Sequence, residues 1–192
     1  MSAAGGALAR ALTAEVPEDS DHILDAALTL AAASGLRHLT MEDVARGAGV
    51  GRMTVYRRFG TRAALIDALA GREARRCLAE LDAASPPDAP LEAQVVAGFT
   101  TALRITREHP LLARLARVEP ESVLAAFTDG DLMGLCTSYL GDRLRRSGLQ
   151  DTDAVAELLV RVAVSFILLP DTEVRDPTLL LGLLQPTGTS PP

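Results

Sequence analysis

Apolar residues recur at helical spacing along most of this chain. Over residues 20 to 34, Ile23, Leu24, Ala27, Leu28 and Ala31 mark one buried helical face, with Gly35 placed to end the helix in a left-handed conformation. Thr40 then stands as an N-cap with Asp43 three positions on, a capping-box arrangement that opens a short second helix reaching about Gly47. Gly49 follows as a turn residue. A third short helix is predicted over 51 to 58, with Val55 facing inward and Phe59 closing it. Thr61 caps a longer fourth helix that carries Leu65, Ile66, Leu69, Cys77 and Leu81 and fades by Ala84, although Ala64 leaves that capping box incomplete.

The stretch "ASPPDAP" at 84 to 90 breaks the pattern with three prolines and predicts a domain boundary. Helical segments are predicted after it at about 91 to 108, 110 to 117, 119 to 128, 131 to 147 and 153 to 169. A short last one runs near 177 to 185, with Asp176 as its cap and Pro177 in its first turn. This half has no strand-like alternation. The expected organisation is therefore all-α: a flexible leader over 1 to 19, a helix-turn-helix domain with its connecting fourth helix over 20 to 83, a helical regulatory and dimerisation domain over 84 to 185, and a disordered tail over 186 to 192.

Composition agrees with that class. The 192 residues are 48% hydrophobic but only 3% aromatic, which favours helices packed with Leu and Ala over a β-sandwich. All 19 basic residues are arginine and asparagine is absent, a usage that suggests GC-rich coding. Cys77 and Cys136 lie far apart with no ligand spacing, as in a reduced intracellular protein. "AVSFILLP" at 163 to 170 is far shorter than the roughly 20 residues a membrane helix needs, and the N-terminal stretch lacks a signal-peptide core. A soluble cytoplasmic protein is expected.

The formal net charge is −6, yet residues 35 to 62 carry six arginines (37, 46, 52, 57, 58 and 62) against two acids, Glu42 and Asp43. Residues 84 to 192 hold nine arginines against fourteen acids. A basic segment in an acidic chain suits an anionic ligand such as DNA, because phosphate neutralisation supplies most sequence-independent affinity. The two short helices joined by "GAGVG" have the length and glycine turn of a helix-turn-helix, whose second helix lies in the major groove. Ala45, Val50 and Val55 would hold these helices together, leaving Arg52, Met53, Thr54, Tyr56, Arg57 and Arg58 to face outward or toward the flanking backbone.

Two other classes bear on this sequence. For an enzyme, His22, His38 and His109 are scattered without metal spacing, and neither a Gly-rich phosphate loop nor GxSxG occurs, so no catalytic residue, metal site or cofactor is predicted. A helical interaction protein whose basic patch meets an acidic protein partner stays open as the alternative.

The run "TMEDVARGAGVGRMTVYRRFGTRAALIDAL" closely resembles the DNA-binding region of the TetR family of transcriptional regulators. The resemblance covers about residues 20 to 70, through "T-x-x-x-V-A-x-x-A-G-V", "T-V-Y-R-R-F" and the cap-plus-basic pair opening the fourth helix. Beyond residue 90 only the helical plan and "EHPLLARL" are similar. The resemblance implies a repressor that binds double-stranded DNA at a pseudo-palindromic operator as a homodimer and is released by a small-molecule effector. Carried over by position, Arg52, Met53 and Arg57 would face the groove, Thr54 would touch base or backbone, and Thr40, Tyr56, Arg58 and Arg62 would anchor phosphates. Arginine forks suit guanine edges, which implies G·C positions in each half-site. Two positions depart from the family pattern: Gly51 stands where Ser is frequent, and Met53 replaces a small residue.

In "DAVAELLVRVAVSFILL" the polar residues Glu157, Arg161 and Ser165 form one narrow stripe, so this helix needs more than one partner surface. Val155, Leu159, Val162, Phe166 and Leu169 fit a packing seam. With Leu180, Leu183 and Leu184 they are expected to build a four-helix bundle across a two-fold axis, as similar regulators do. The resemblance also implies an apolar effector cavity in this half, with Phe99, Leu103, Met133, Cys136 and Tyr139 as candidate lining.

Overall fold

The structure, a computed structural model, describes residues 17–128, 132–146, 149, 151–169 and 177–184. The side chains of 183 and 184 lie outside that description. So do most of the expected leader, all of the tail, and the cap expected at Asp176.

Among the described residues the chain forms nine α-helices and no strand: α1 (Asp21–Ser34), α2 (Met41–Gly47), α3 (Arg52–Phe59), α4 (Arg62–Ala84), α5 (Leu91–Glu108), α6 (Pro110–Val118), α7 (Pro120–Thr128), α8 (Leu132–Arg146) and α9 (Thr152–Leu168). A 3₁₀ turn at Leu36–His38 joins α1 to α2. The predicted last helix is instead a 3₁₀ segment, Pro177–Leu184, with Leu180 buried in the second core. So short a segment gains more from inserting a leucine than from regular α-helical bonding.

Local chemistry sets the first four helices. The backbone N–H of Gly35 (φ 89°) donates to the Ala31 carbonyl at 2.8 Å and ends α1. The Thr40 Oγ1 accepts the Asp43 backbone N–H at 3.1 Å and donates its own proton to Asp43 Oδ2 at 2.6 Å. The expected return bond thus goes to the threonine hydroxyl, since aspartate is one methylene shorter than the glutamate of a full capping box. Between α2 and α3, Gly49 takes φ 68°, and the Val50 N–H bonds back to the Ala45 carbonyl at 3.0 Å. Glycine adopts that left-handed turn without steric cost.

Two separate apolar clusters follow. The first joins Ile23, Leu24 and Ala27 of α1 to Val44 and Ala45 of α2, Val55 and Phe59 of α3, and Leu65 and Leu69 of α4. The second joins Val95, Phe99 and Leu103 of α5 to Leu144 of α8, Ala156 and Leu159 of α9, and Leu180. Helix α4 links them. Its N-terminal half sits in the first cluster, while near its end Asp82 accepts hydrogen bonds from Arg143 and, at 2.6 Å, from the Tyr139 hydroxyl.

A buried polar junction also ties the two halves. Arg72 and Glu73 on α4 are both buried; the Arg72 Nε donates to Glu73 Oε1 at 2.7 Å, and its Nη1 lies 2.9 Å from Asp25 and 3.3 Å from Asp21 on α1. The other Glu73 oxygen meets His109 Nε2 at 3.1 Å. His109 is the N-cap of α6: its Nδ1 accepts the Leu112 N–H at 3.3 Å, which assigns the ring proton to Nε2, where it donates to Glu73. A second tie runs from Arg114 Nη1 to the Ala33 carbonyl at the end of α1, at 3.1 Å.

Candidate nucleic-acid interface

The surface of interest is the outer face of α3. Val55 and Phe59 bury one side of this helix in the first core, which fixes the opposite side toward solvent. Met53 is 75% exposed there, beside exposed Arg57 and half-exposed Thr54. No side chain caps α3, because its N-cap is Gly51.

The six arginines separate into distinct roles. Arg46 pairs with Asp43 at 3.0 Å and Arg52 with Glu42 at 2.8 Å, so the two acids of the segment neutralise two guanidinium groups. Arg52 also lies over the Tyr56 ring, 5.2 Å from its centroid. Arg37 and Arg57 have no ion pair among the described residues. Arg58 and Arg62 bond to neutral acceptors: Arg58 Nη1 donates to the Glu18 carbonyl and to Ser20 Oγ at 3.1 Å, and Arg62 donates to the carbonyls of Leu39 (2.6 Å), Leu36 (2.6 Å) and Arg37 (3.2 Å). The surplus of positive charge legible in the sequence therefore resides in Arg37, Arg57, Arg58 and Arg62.

These placements modify the expectations residue by residue. Met53, Thr54 and Arg57 lie on the open face. Arg52 shares that helix but is latched to Glu42. Thr40 spends its hydroxyl on the α2 cap, and Tyr56 is half-buried against the first core. Arg58 and Arg62, expected as phosphate anchors, fasten the connections before α1 and between α1 and α2 through backbone carbonyls. Both guanidinium groups keep their charge while doing so. Spacing gave no sign of the Glu42 latch, of the Arg72–Glu73–His109 junction, or of Arg62 as a loop clasp, since each joins separate elements.

In the second half, a cavity of about 250 Å³ lies between α5, α6 and α9. Leu103 is one of its walls, and Phe166 another. Phe99 is buried behind them, its ring edge-on to Phe166 with centroids 6.0 Å apart at 88°. Met133, Cys136 and Tyr139 of α8 are half-buried and do not line this cavity. Burial pushes the Cys136 thiol up to about 11, so it is an unreactive apolar residue. Burial and the hydrogen bond to Asp82 push the Tyr139 hydroxyl up to about 12, and Arg143 stacks 5.0 Å from its ring.

Much of the expected dimer seam packs within this chain. Leu159 and Leu180 are buried in the second core, and Val155, Val162 and Phe166 pack partly against it, while Leu169 is exposed. The side chains of Leu183 and Leu184 lie outside the described residues. A helix that is apolar around most of its circumference does not reveal which stripe its own chain covers; α5 and the 3₁₀ segment cover this one. In this region Leu158 (44%) of α9, Leu169 (61%) just after it and Leu179 (77%) of the 3₁₀ segment are exposed.

An all-helical protein with an N-terminal helix-turn-helix, joined through a long helix to a separate helical bundle, is the class this architecture defines. The profile of the bacterial regulatory proteins of the tetR family matches residues 23–69. In this region the chain is similar to the DNA-binding domain of the TetR family. Two uncharacterised HTH-type transcriptional regulators of Mycobacterium tuberculosis are each 35% identical to it over 99 residues, which is 49% of this chain and 46% of theirs. The chain thus spans about half the length of the curated relatives it matches. Among solved structures, the TetR family repressor AlkX from Dietzia, implicated in biodegradation of n-alkanes, is 26% identical with a TM-score of 0.56, over 88% of this chain and 93% of that one. The fatty acid degradation regulator FadR from Bacillus halodurans shares the fold at 17% identity and a TM-score of 0.64, over 88% and 96%.

Proposed function

We propose that this protein is a ligand-responsive transcriptional repressor of the cytoplasm that binds a pseudo-palindromic operator in double-stranded DNA as a homodimer and is released by an apolar small molecule. One observation carries the DNA-binding part: α3 buries Val55 and Phe59 and turns Met53, Thr54 and Arg57 outward, within a segment whose six arginines outnumber its two acids. A helix so presented enters a major groove, Arg57 reads a guanine edge through its fork, and Met53 offers an apolar contact such as a thymine methyl accepts. Arg52, held by Glu42 and Tyr56, is a pre-set arm beside it. The surplus guanidinium groups at the flanks attract phosphate even where their N–H groups are engaged by carbonyls.

Leu158 of α9, Leu169 just after it and Leu179 of the 3₁₀ segment supply the dimer contact. The cavity between α5, α6 and α9 supplies the effector site, because α6 also carries the two ties to the reading head, His109 to Glu73 and Arg114 to the Ala33 carbonyl. An effector that fits only one spacing of the two heads would shift the DNA equilibrium by linkage.

The test is selection of duplexes from a random pool by the full chain, followed by a salt-titrated mobility shift. A two-fold symmetric site whose affinity falls steeply with salt is expected. Retention of acidic proteins without any duplex binding would replace this reading with the protein-partner alternative.

A further inference from the structure

Arg52 is the first residue of α3, at the end of a recognition helix that reaches base edges. Its Nε lies 2.8 Å from Glu42 Oε1 in the first turn of α2, and its guanidinium carbon lies 5.2 Å from the centroid of the Tyr56 ring, one turn further along α3. Tyr56 packs against the first core, so the ring is a fixed support. The guanidinium is thereby held at one edge by a carboxylate and on one face by a ring. With its Nε edge turned to Glu42, the two terminal nitrogens form the remaining fork, the end-on pair that guanine O6 and N7 accept. Both side chains of the ion pair are open to solvent, 61% for Arg52 and 42% for Glu42, so the pair adds little to the stability of the fold. A carboxylate beside the reading helix also repels phosphate and cancels a positive charge there. Its position suits recognition better than stability or raw affinity.

We propose that Glu42 is a specificity-determining positioning residue: it withholds Arg52 from phosphates and presents the terminal fork of that arginine to a guanine edge. This rests on the DNA-binding reading above and deepens it. The selectivity follows from charge. A phosphate that takes Arg52 must come up against the Glu42 carboxylate, whereas a guanine edge is uncharged and accepts from the terminal nitrogens while Nε stays beside Glu42. The carboxylate therefore penalises complexes on arbitrary sequence more than the complex on the operator, which is how a repulsive element sharpens a difference of affinities. Arg57, which has no ion pair among the described residues, carries no such filter.

The experiment is a double-mutant cycle on the full chain with E42Q, R52A and E42Q/R52A, each checked for native helicity by circular dichroism. Affinities for the selected operator and for a scrambled duplex of equal length are measured across a salt titration. E42Q keeps the shape of the side chain and removes its charge. It is expected to bind the scrambled duplex more tightly, to steepen its salt dependence by about one phosphate contact, and to lower the operator-to-scrambled ratio about fivefold or more. Binding-site selection with E42Q should show relaxed preference at one G·C position. In the R52A background the same change should raise both affinities alike and leave their ratio within about twofold. A carboxylate that only favours the start of its own helix would move stability and not this ratio. An unchanged ratio and base preference in E42Q overturns the role. A ratio that falls as far in the R52A background overturns the route through Arg52 and makes Glu42 a direct DNA contact. Absence of any duplex binding by the native chain overturns the DNA-binding reading itself and this role with it.

Discussion

Replacing Arg72 with methionine tests the junction that holds the reading head to the second bundle. The side chain is 7% exposed and serves Glu73, Asp25 and Asp21 together. Asp21 and Asp25 are largely solvated, so losing their partner costs little. Glu73 is different: its side chain is 10% exposed, and R72M leaves it with His109 and with Arg76 at 3.3 Å. Breaking a buried pair from one side costs about 3–5 kcal/mol, and the remaining partners place this case near the lower end. For a chain of this length each kcal/mol lowers Tm by about 2–4 °C, so R72M should melt about 6–12 °C below the native protein. Thermal unfolding followed by far-UV circular dichroism at neutral pH measures it. The double variant R72M/E73M removes both charges and should recover most of the loss, since apolar replacement of a whole buried pair is often neutral. A single variant that melts within about 2 °C of native, or a double variant less stable than the single, would refute the reasoning.

Three further outcomes are expected. Burial raises the Glu73 carboxyl, but hydrogen bonds from His109 and Arg72 and the charges of Arg72 and Arg76 outweigh it and hold the group below the ordinary carboxylate range. Its ionised form therefore stabilises the fold above the unfolded value near pH 4.3, and this contribution is lost as pH falls through the lower folded value. The urea-midpoint gap between native protein and E73Q should stay level from neutral pH to about pH 5 and close on further acidification; a gap that widens contradicts the assignment. R57A should relax preference at one operator position at a cost of about 1–3 kcal/mol, read by binding-site selection, and an unchanged preference would remove Arg57 from the base-reading set. L158E places a charge on the exposed apolar face of α9 and should elute as a monomer from a sizing column, whereas a persisting dimer would move the interface elsewhere.

The helices of the first half were legible because their signals are local. Thr40 and Thr61 as caps, Gly35 and Gly49 as turns, and Ile23, Leu24, Val55 and Leu65 as inward positions each depend on residues within a turn or two of themselves. The charge asymmetry was equally plain, since counting needs no coordinates. Less of the candidate site could be read. Arg52, Arg57, Arg58 and Arg62 look alike in a string of residues, and which of them is free depends on where Glu42, Glu18, Ser20 and the Leu36–Leu39 carbonyls come to lie.

Periodicity and capping chemistry alone determined an all-helical chain with an open basic helix near its N-terminus, because a 3.6-residue repeat and a first-turn hydrogen bond are properties of contiguous residues. Only tertiary structure decided that Leu159 and Phe166 face their own core, that the cavity lies against α6 rather than along α8, and that His109 joins Glu73 and Arg72 across the two halves. Each of those depends on which of several chemically equivalent faces another element covers, and that choice is made by packing over distances that no local pattern spans.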